Sequence, residues 1–558
     1  MYRLLRGAIV SASLIAAMPA WSQSPSEILF LAEDVPASLN YDGPAASIGT
    51  TQTGFINLME PMVYYPYAGT NDDGVRLLDF SKYEGRLVER WDYDAANLAW
   101  TLHLRRGVKS CAGNDFSADD VVYTLARAKS VSGRAPVGWF LGNVAGIKGF
   151  TRDVFRDPNA KILGDEVVKI DDHTVRIVQS APNTFFLMAM TIYGLAPFDS
   201  KEMKARAKPE DPWSHDYVNT ENVPGFGPYC LERWVKDDEF VFRANPNYYR
   251  GKPAIERVVM KKVPQSSNRV VTLRSGRAHL TQRLTAREFA NLRGAAGVRV
   301  VGVYGNETLF VAPNWRVPPF DNVKLRQAMA HAINYQQVGE AGYAGAARKW
   351  DSHVPSSFPG YARSDVQYAY DPERARQLLA EAGFPGGRGL EAFAEQLRLS
   401  YTAERESYLG PIAAAIQTSM RAVGIPVTLD PLPQTQMGDR RLVKKDLPLS
   451  ISDTDKASAI NGAYQVMVFY ISNQAGAIIN TSNYANPQVD EMFVRIKAEP
   501  DAAKQAEMLK TLQDALQRDL AILPILETKT QYASTARLSG ITWHADNSLR
   551  FYDLSLAR

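Results

Sequence analysis

The block Gly225-Phe226-Gly227-Pro228-Tyr229, running on to Asn245-Pro246-Asn247-Tyr248-Tyr249-Arg250-Gly251, leaves this chain few options. A Gly-x-Gly-Pro segment cannot continue a helix or a central strand, so it reads as a turn or bend. Tyr229 to Val235 and Glu239 to Ala244 then read as two short strands joined at Lys236-Asp237-Asp238, and a second turn cluster closes the block.

A chain of 558 residues with 45% hydrophobic and 22% charged side chains has the make-up of a soluble globular protein with material for at least two cores. Lysine and arginine number 63 against 60 acidic residues, so the surface is close to neutral. It lacks the clustered cation excess on which non-specific nucleic-acid or anionic-membrane binding rests.

The amino terminus points to a compartment. Arg3 and Arg6 precede an apolar run from Ala8 to Ala17, and Ala20-Trp21-Ser22 sets small residues just before Gln23, the pattern of a secretory signal cut after Ser22. The run is too short for a permanent membrane span, and no later stretch approaches the ~20 apolar residues that spanning needs. In an exported chain whose only cysteines are Cys111 and Cys230, the two are expected to pair. Closing so long a loop stabilises by roughly 4–5 kcal/mol in the loop-entropy model.

Along the chain, Ile28 to Leu31 reads as a strand, and Leu98 to Leu104 as another with Leu98, Trp100, Leu102 and Leu104 on one face. Ser117 caps a helix with Val121, Leu125 and Ala128 buried, which explains the adjacent Asp119 and Asp120 without a catalytic role. Val167 to Ile170 and Thr174 to Val178 form a hairpin. Beyond Tyr304 helices dominate. One is capped by Asp321 with Leu325, Ala328, Met329, Ala332 and Ile333 inward; another runs from Asp371-Pro372 to Gly383. Leu397 to Tyr401, a helix around Ile412, Ile416 and Met420, and Val427 to Leu432 make a strand-helix-strand unit with a parallel pair. Arg440 to Ala459 reads as a polar surface excursion, Val466 to Ile471 as an apolar strand. Helices are expected from Asn486-Pro487 and over Asp501 to Leu516, before an extended run from Ala521 to Leu526.

Enzymatic signatures are missing: no His-Glu-x-x-His helix, no Gly-x-Ser-x-Gly elbow, no phosphate loop ending in Gly-Lys-Ser/Thr. The histidines at 103, 173, 215, 279, 331, 353 and 544 lack metal-ligand spacing, so no metal or cofactor is expected.

Several blocks, in order, resemble the solute-binding proteins of peptide/nickel-type ABC importers. The Gly225 block resembles that family's Gly-Thr-Gly-Pro-Tyr entry and Asn-Pro-Asp-Tyr-Trp exit. Gly85 to Trp91, Trp100 to Gly107, Lys109 to Val122, Ile170 to Val178, Leu273 to Gly276, Pro318 to Asn334 and Tyr370 to Gly383 resemble further family segments. The resemblance implies an α/β, two-lobed periplasmic-binding-protein fold (type II, peptide-binding class) with an extra subdomain on lobe one. Lobe one would hold residues 24–308 and 527–558, with 66–195 as the appended subdomain, and lobe two residues 309–526. The chain would cross near Glu307 to Val311 and return near Ile525 to Thr528. The implied activity is capture of a peptide or peptide-like solute for an ABC permease and its ATPase, by a periplasmic monomer; no Cys sits near the expected cleavage site, so the lipid anchor that many members of the family carry is not expected here.

Candidate ligand contacts are the aromatics Tyr41, Tyr64, Trp139, Phe140, Trp315, Trp350, Tyr470 and Tyr484, which could stack on a solute, with Arg316 as an anion contact and Asn314, Asn473 and Gln474 as polar ones. The segment Val468 to Gln474 resembles the stretch where a peptide-binding member places an Asp on the ligand's amino group. Asn473 stands nearby here, with no Asp until Asp490, which turns attention to opines, sugar conjugates or other polar solutes. A sensor or chaperone module and a secreted hydrolase are the other classes weighed.

Overall fold

The computed structural model describes residues 26–41, 49–131, 138, 140–150, 163–453, 455–473, 475, 477 and 479–557. The signal segment, Trp139 and Gln474 lie outside them. The Gly225 block folds as the hairpin expected: Tyr229–Val235 pairs antiparallel with Glu239–Ala244, and Asp237 takes a left-handed turn conformation at φ 60°. Its glycines answer to crowding. A Cβ on Gly227 would lie 2.4 Å from the Leu58 carbonyl carbon, at the end of helix Gly49–Leu58. The disulfide also forms, joining Cys111 to Cys230 with the Cα atoms 5.7 Å apart, so the loop before helix Ala118–Val131 is tied to the hairpin's first strand.

One mixed sheet of eleven strands runs through the molecule. Its path is Tyr229–Val235, Glu239–Ala244, Arg257–Lys262, Glu27–Ala32, Leu280–Gln282, Leu523–Thr535, Val298–Pro313, Leu449–Ser452, Arg398–Thr402 and Thr428–Leu432, with Ala347–Lys349 attached to Leu523–Thr535. At its centre two long strands, Val298–Pro313 and Leu523–Thr535, lie antiparallel. Val298 to Tyr304 pair with Thr535 to Lys529, the register slips, and Thr308 to Val311 then pair along Glu527 to Leu523. Past the slip one face of the strand pair turns to a second core. Leu309, Val311, Leu523 and Ile525 pack with Leu325, Met329, Leu378, Leu399 and Ile416, whereas Phe310 and Ala312 stay with Val301, Val303 and Tyr532 in the first core, beside Ile28, Phe30, Phe242 and Phe551.

A four-stranded antiparallel sheet, in the order Val88–Asp94, Ala99–Leu104, Thr174–Val178 and Val167–Asp171, stands apart from the large one. In the second core, helix Pro372–Glu381 is capped by Asp371, which accepts from the Arg374 amide at 2.9 Å, and it buries Ala375, Leu378 and Leu379. Arg398–Thr402 and Thr428–Leu432 are parallel, joined by helix Glu406–Arg421, as the strand-helix-strand pattern required.

Three sequence expectations need correction. Asn322, not Asp321, caps helix Val323–Ala332, by accepting from the Lys324 amide at 2.9 Å. The polar stretch 440–459 is no surface excursion, because it contains the fully buried strand Leu449–Ser452, which pairs with Val298–Pro313 on one side and Arg398–Thr402 on the other. Its buried serines disguised it. Conversely, Val466 to Ile471 is not a strand: helix Gly462–Phe469, capped by Asn461, covers most of it and is buried on every side. A short continuous apolar run is compatible with either structure, and periodicity cannot separate them.

Candidate functional site

The polar residues that gather where the two cores meet are set by the slip in the long strands. Asn306, 1% exposed, donates from Nδ2 to the carbonyls of Ala457 at 2.9 Å and Ala545 at 2.6 Å. One amide thus fastens two loops to the crossing strand: 453–461, which follows Leu449–Ser452, and 543–550 near the carboxyl end. Next to it Gly305 faces the Trp543 indole so closely that a Cβ would sit 2.4 Å from the ring. Trp543 donates to Asn547 Oδ1 at 2.6 Å, and Asn547 Nδ2 donates to Glu307 Oε1 at 3.1 Å.

Opposite charges line this seam. Arg550 holds Asp546 through two hydrogen bonds and reaches the Tyr64 hydroxyl at 3.3 Å. Tyr64 in turn meets His544 Nδ1 at 2.9 Å, and His544 Nε2 meets Asp553 at 3.0 Å. Burial pushes the Asp546 carboxyl upward, but the Arg550 guanidinium outweighs it and holds the group below the usual carboxylate range. Burial, followed by Arg550, lowers the His544 pKa, so the imidazole stays neutral. From the other core, Arg405 at the start of helix Glu406–Arg421 donates to Asp453 at 2.9 Å, and Tyr408 donates to the same carboxylate. Asp455 accepts from Arg441 and from the Ser452 hydroxyl, both at 2.7 Å. Lys456 reaches across to the Asp546 carbonyl at 3.3 Å.

Of the residues nominated from sequence, Tyr41 and Tyr64 belong to this seam. Tyr41 packs on Phe55 with ring centroids 4.6 Å apart, and burial raises the pKa of its hydroxyl. Phe140 is half-buried against the first core. Asn314, Trp315, Arg316, Asn473 and Tyr484 gather elsewhere, beyond the Pro313 end of the strand. That end is six residues past Glu307, about 20 Å of extended chain. There Asn314 donates to Leu447 O at 3.0 Å, accepts from Asn483 at 3.0 Å, and Lys445 donates to Asn473. Trp315 meets Tyr484 edge-on at 4.7 Å beneath the Arg326 guanidinium, while the Arg316 side chain is exposed. Trp350 and Tyr470, each 1% exposed, are packed in the core; the Trp350 indole donates to Val354 O.

Sequence reasoning missed Asn306, Arg405, Asp453, Lys456, Asp546 and Arg550. The signal was the run Ser452-Asp453-Thr454-Asp455-Lys456, masked by placing the strand at Val466–Ile471. With the strand at Leu449–Ser452, the carboxylates Asp453 and Asp455 follow its end directly.

Two cavities flank the region. One of about 230 Å³ lies beside the disulfide, walled by Cys111, Glu202, Asn222, Tyr229, Cys230 and Arg243. A smaller one of about 30 Å³ lies behind the seam, against Glu60, Tyr64, Arg86, Tyr193, His544 and Arg550. It has room for one or two waters. Among the described residues no cluster of His, Cys, Asp and Glu could hold a metal, and no helix is long and apolar enough to cross a membrane. A second strip of contact lies away from the seam: Lys497 donates to Asn143 O at 2.5 Å, Thr184 N donates to Lys497 O at 3.0 Å, and Phe185 faces Phe493 at 6.4 Å. Apolar packing is accordingly continuous from the first core into helices Gly462–Phe469, Pro487–Ala498 and Ala502–Asp519.

Residues 82–491 match the family described as bacterial extracellular solute-binding proteins, family 5 Middle. Heme-binding protein A of Haemophilus influenzae is 30% identical over 322 residues, 56% of this chain and 56% of that protein. The dipeptide-binding protein of Escherichia coli is 27% identical over 346 residues, 61% of each. The matched stretches therefore span less than two thirds of the length of these two relatives. Among solved structures, the periplasmic binding protein DppA from Helicobacter pylori, in complex with the peptide STSA, superposes with a TM-score of 0.77 at 22% identity, covering 95% of this chain and 98% of that one. The shared fold is α/β and two-lobed.

Proposed function

The chain belongs to the bacterial extracellular solute-binding proteins, family 5, and on that premise we propose that it captures a peptide or peptide-like solute between its lobes and delivers it to an ABC importer. The observation that carries this reading is the seam itself. Charged and hydrogen-bonding groups from both cores converge on Asn306 and Glu307 at the crossing strands, the place where a hinged molecule encloses what it binds.

Lobe one comprises residues 24–308 and 527–558, with 66–195 appended, and lobe two residues 309–526. The second core that begins on one face of the long strands past the register slip supports a boundary there. An open cleft admits the solute, the lobes rotate together, and the closed form docks on permease and ATPase subunits. Excluding water strengthens each charge contact in the seam, and the solute's preference for the closed form sets how far closure proceeds. Packing continuous from the first core into helices 462–519 is what closure produces. The protein works as a monomer in the periplasm after signal removal, and returns its solute unaltered.

The test is native mass spectrometry of the protein purified from its own host. A small solute released intact by denaturation supports capture. A peptide mixture recovered cleaved after incubation with the pure protein would replace capture by hydrolysis.

A further inference from the structure

The larger cavity, about 230 Å³, has the disulfide as part of its wall. The two cysteines of that bridge are not equivalent. Cys111 stands with Ala112 and Gly113 on an exposed loop tip, whereas Cys230, on the hairpin's first strand, is 5% exposed. Cys230 lies directly across the hairpin from Arg243, so both side chains leave the same face of the sheet, and both line the cavity. Among the described residues no carboxylate lies within 4.0 Å of the exposed Arg243 guanidinium. Glu202 lines the same cavity and accepts from the Tyr217 hydroxyl.

The bridge is not what holds the loop in the folded chain. The Ser110 hydroxyl and the Asn114 amide donate to Asp199 at 2.6 and 2.8 Å, and Ser110 N donates to Asn114 O at 2.9 Å. Lys109 pairs with Asp115 at 2.6 Å, and Phe116 meets Phe226 edge-on at 5.0 Å. None of these contacts depends on the S–S bond, whose contribution falls mainly on the unfolded chain. The folded protein can therefore open the bridge and keep its loop in place. An exposed cysteine on one side and a cation beside the other are the conditions that favour exchange with a thiol.

We propose that the Cys111–Cys230 bridge is a thiol-exchange site, at which a thiol of amino-acid size seats in the cavity and forms a mixed disulfide with Cys111. The incoming thiolate sulfur bonds to Cys111 Sγ, the Cys111–Cys230 bond breaks, and its electron pair leaves on Cys230 Sγ as a thiolate. Attack of that thiolate on Cys111 Sγ reverses the step and frees the thiol, so no outside oxidant is consumed. Arg243 stabilises the charge that develops on Cys230, and a thiol whose anion is stabilised leaves faster. Glu202 holds the ammonium group of an amino-acid thiol by a charge-assisted hydrogen bond.

The test treats the oxidised full chain with L-cysteine, N-acetylcysteine or 2-mercaptoethanol, quenches with N-ethylmaleimide and maps the products by mass spectrometry. Cysteine should be found on Cys111 and maleimide on Cys230, with thermal melting still cooperative though at a lower temperature. Per thiolate, cysteine should react about threefold faster than either other thiol, and Arg243→Gln should slow the step about threefold while Arg243→Lys restores it. Because Cys230 can expel the adduct, Cys230→Ala and Cys111→Ala are each treated with cystine as well. The first should take up cysteine on Cys111, the second none until it is unfolded. A bridge that stays closed in the folded protein under thiol that reduces 2-hydroxyethyl disulfide, or an adduct on Cys230, would overturn the exchange, and this arm needs no variant. Equal rates for the three thiols would overturn the cavity as the seat.

Discussion

Single side chains decide how firmly the seam is held. Asn306→Ala leaves the Ala457 and Ala545 carbonyls without their donor, which should cost about 1–2 kcal/mol in urea unfolding and loosen both loops that carry the site. Stability unchanged by that substitution would show that the loops are held by other means. His353, wholly buried, makes a pH prediction. Burial lowers its pKa to about 3, so the folded chain keeps it neutral while the unfolded chain binds a proton below about 6.5. Its contribution is therefore fully present well above pH 6.5 and is lost as pH falls through the unfolded value, approaching about 1.4 kcal/mol per unit, or about 2.3 kcal/mol between pH 6.5 and 4.5. His279 and His544, also lowered by burial, act in the same direction. Chemical denaturation across that range should show the loss, and His353→Gln should flatten it by about one proton; an unflattened slope would contradict the neutral buried imidazole.

At the scale of elements, close approach explains the glycines that first drew attention to the hairpin. Gly227→Ala would drive a methyl into the Leu58 main chain, which cannot yield as a flexible side chain would, so a loss of roughly 1–3 kcal/mol or more is expected on thermal or urea unfolding. Gly305→Ala meets the Trp543 ring, and through Asn547 the disturbance reaches Glu307; ligand affinity should fall along with stability. The hairpin, the Asp371-Pro372 helix and the parallel strand pair were legible in sequence because turn residues, caps and period-two alternation are local signals. The Leu449–Ser452 strand was not, since two of its four residues are serine and its burial comes from neighbouring strands distant in sequence. Helix Gly462–Phe469 shows the opposite failure, an apolar run whose burial on all sides erased any periodicity. Tyr41 and Tyr64 could be nominated as aromatics, but Lys456, Asp546 and Arg550 acquire meaning only when the crossing strands bring them together.

At the scale of the whole molecule, the two cores meet along the polar seam, and a second strip of contact is formed by Asn143, Thr184, Phe185, Phe493 and Lys497. Lys497 is an unusual member of that strip, because burial pulls its pKa down to about 8 and its ammonium donates to the main-chain carbonyl of Asn143. Lys497→Met removes that bond at modest cost to the fold. It should make closure less favourable by about 0.5–1.5 kcal/mol and weaken solute binding two- to tenfold, read by titration. Small-angle X-ray scattering of the solute-free chain, before and after adding back the small molecule recovered from its host, tests the hinged capture most directly. Closure predicts an extended form that contracts on addition, with the solute later recovered unchanged. A single unvarying shape, the same with and without that molecule, would contradict it.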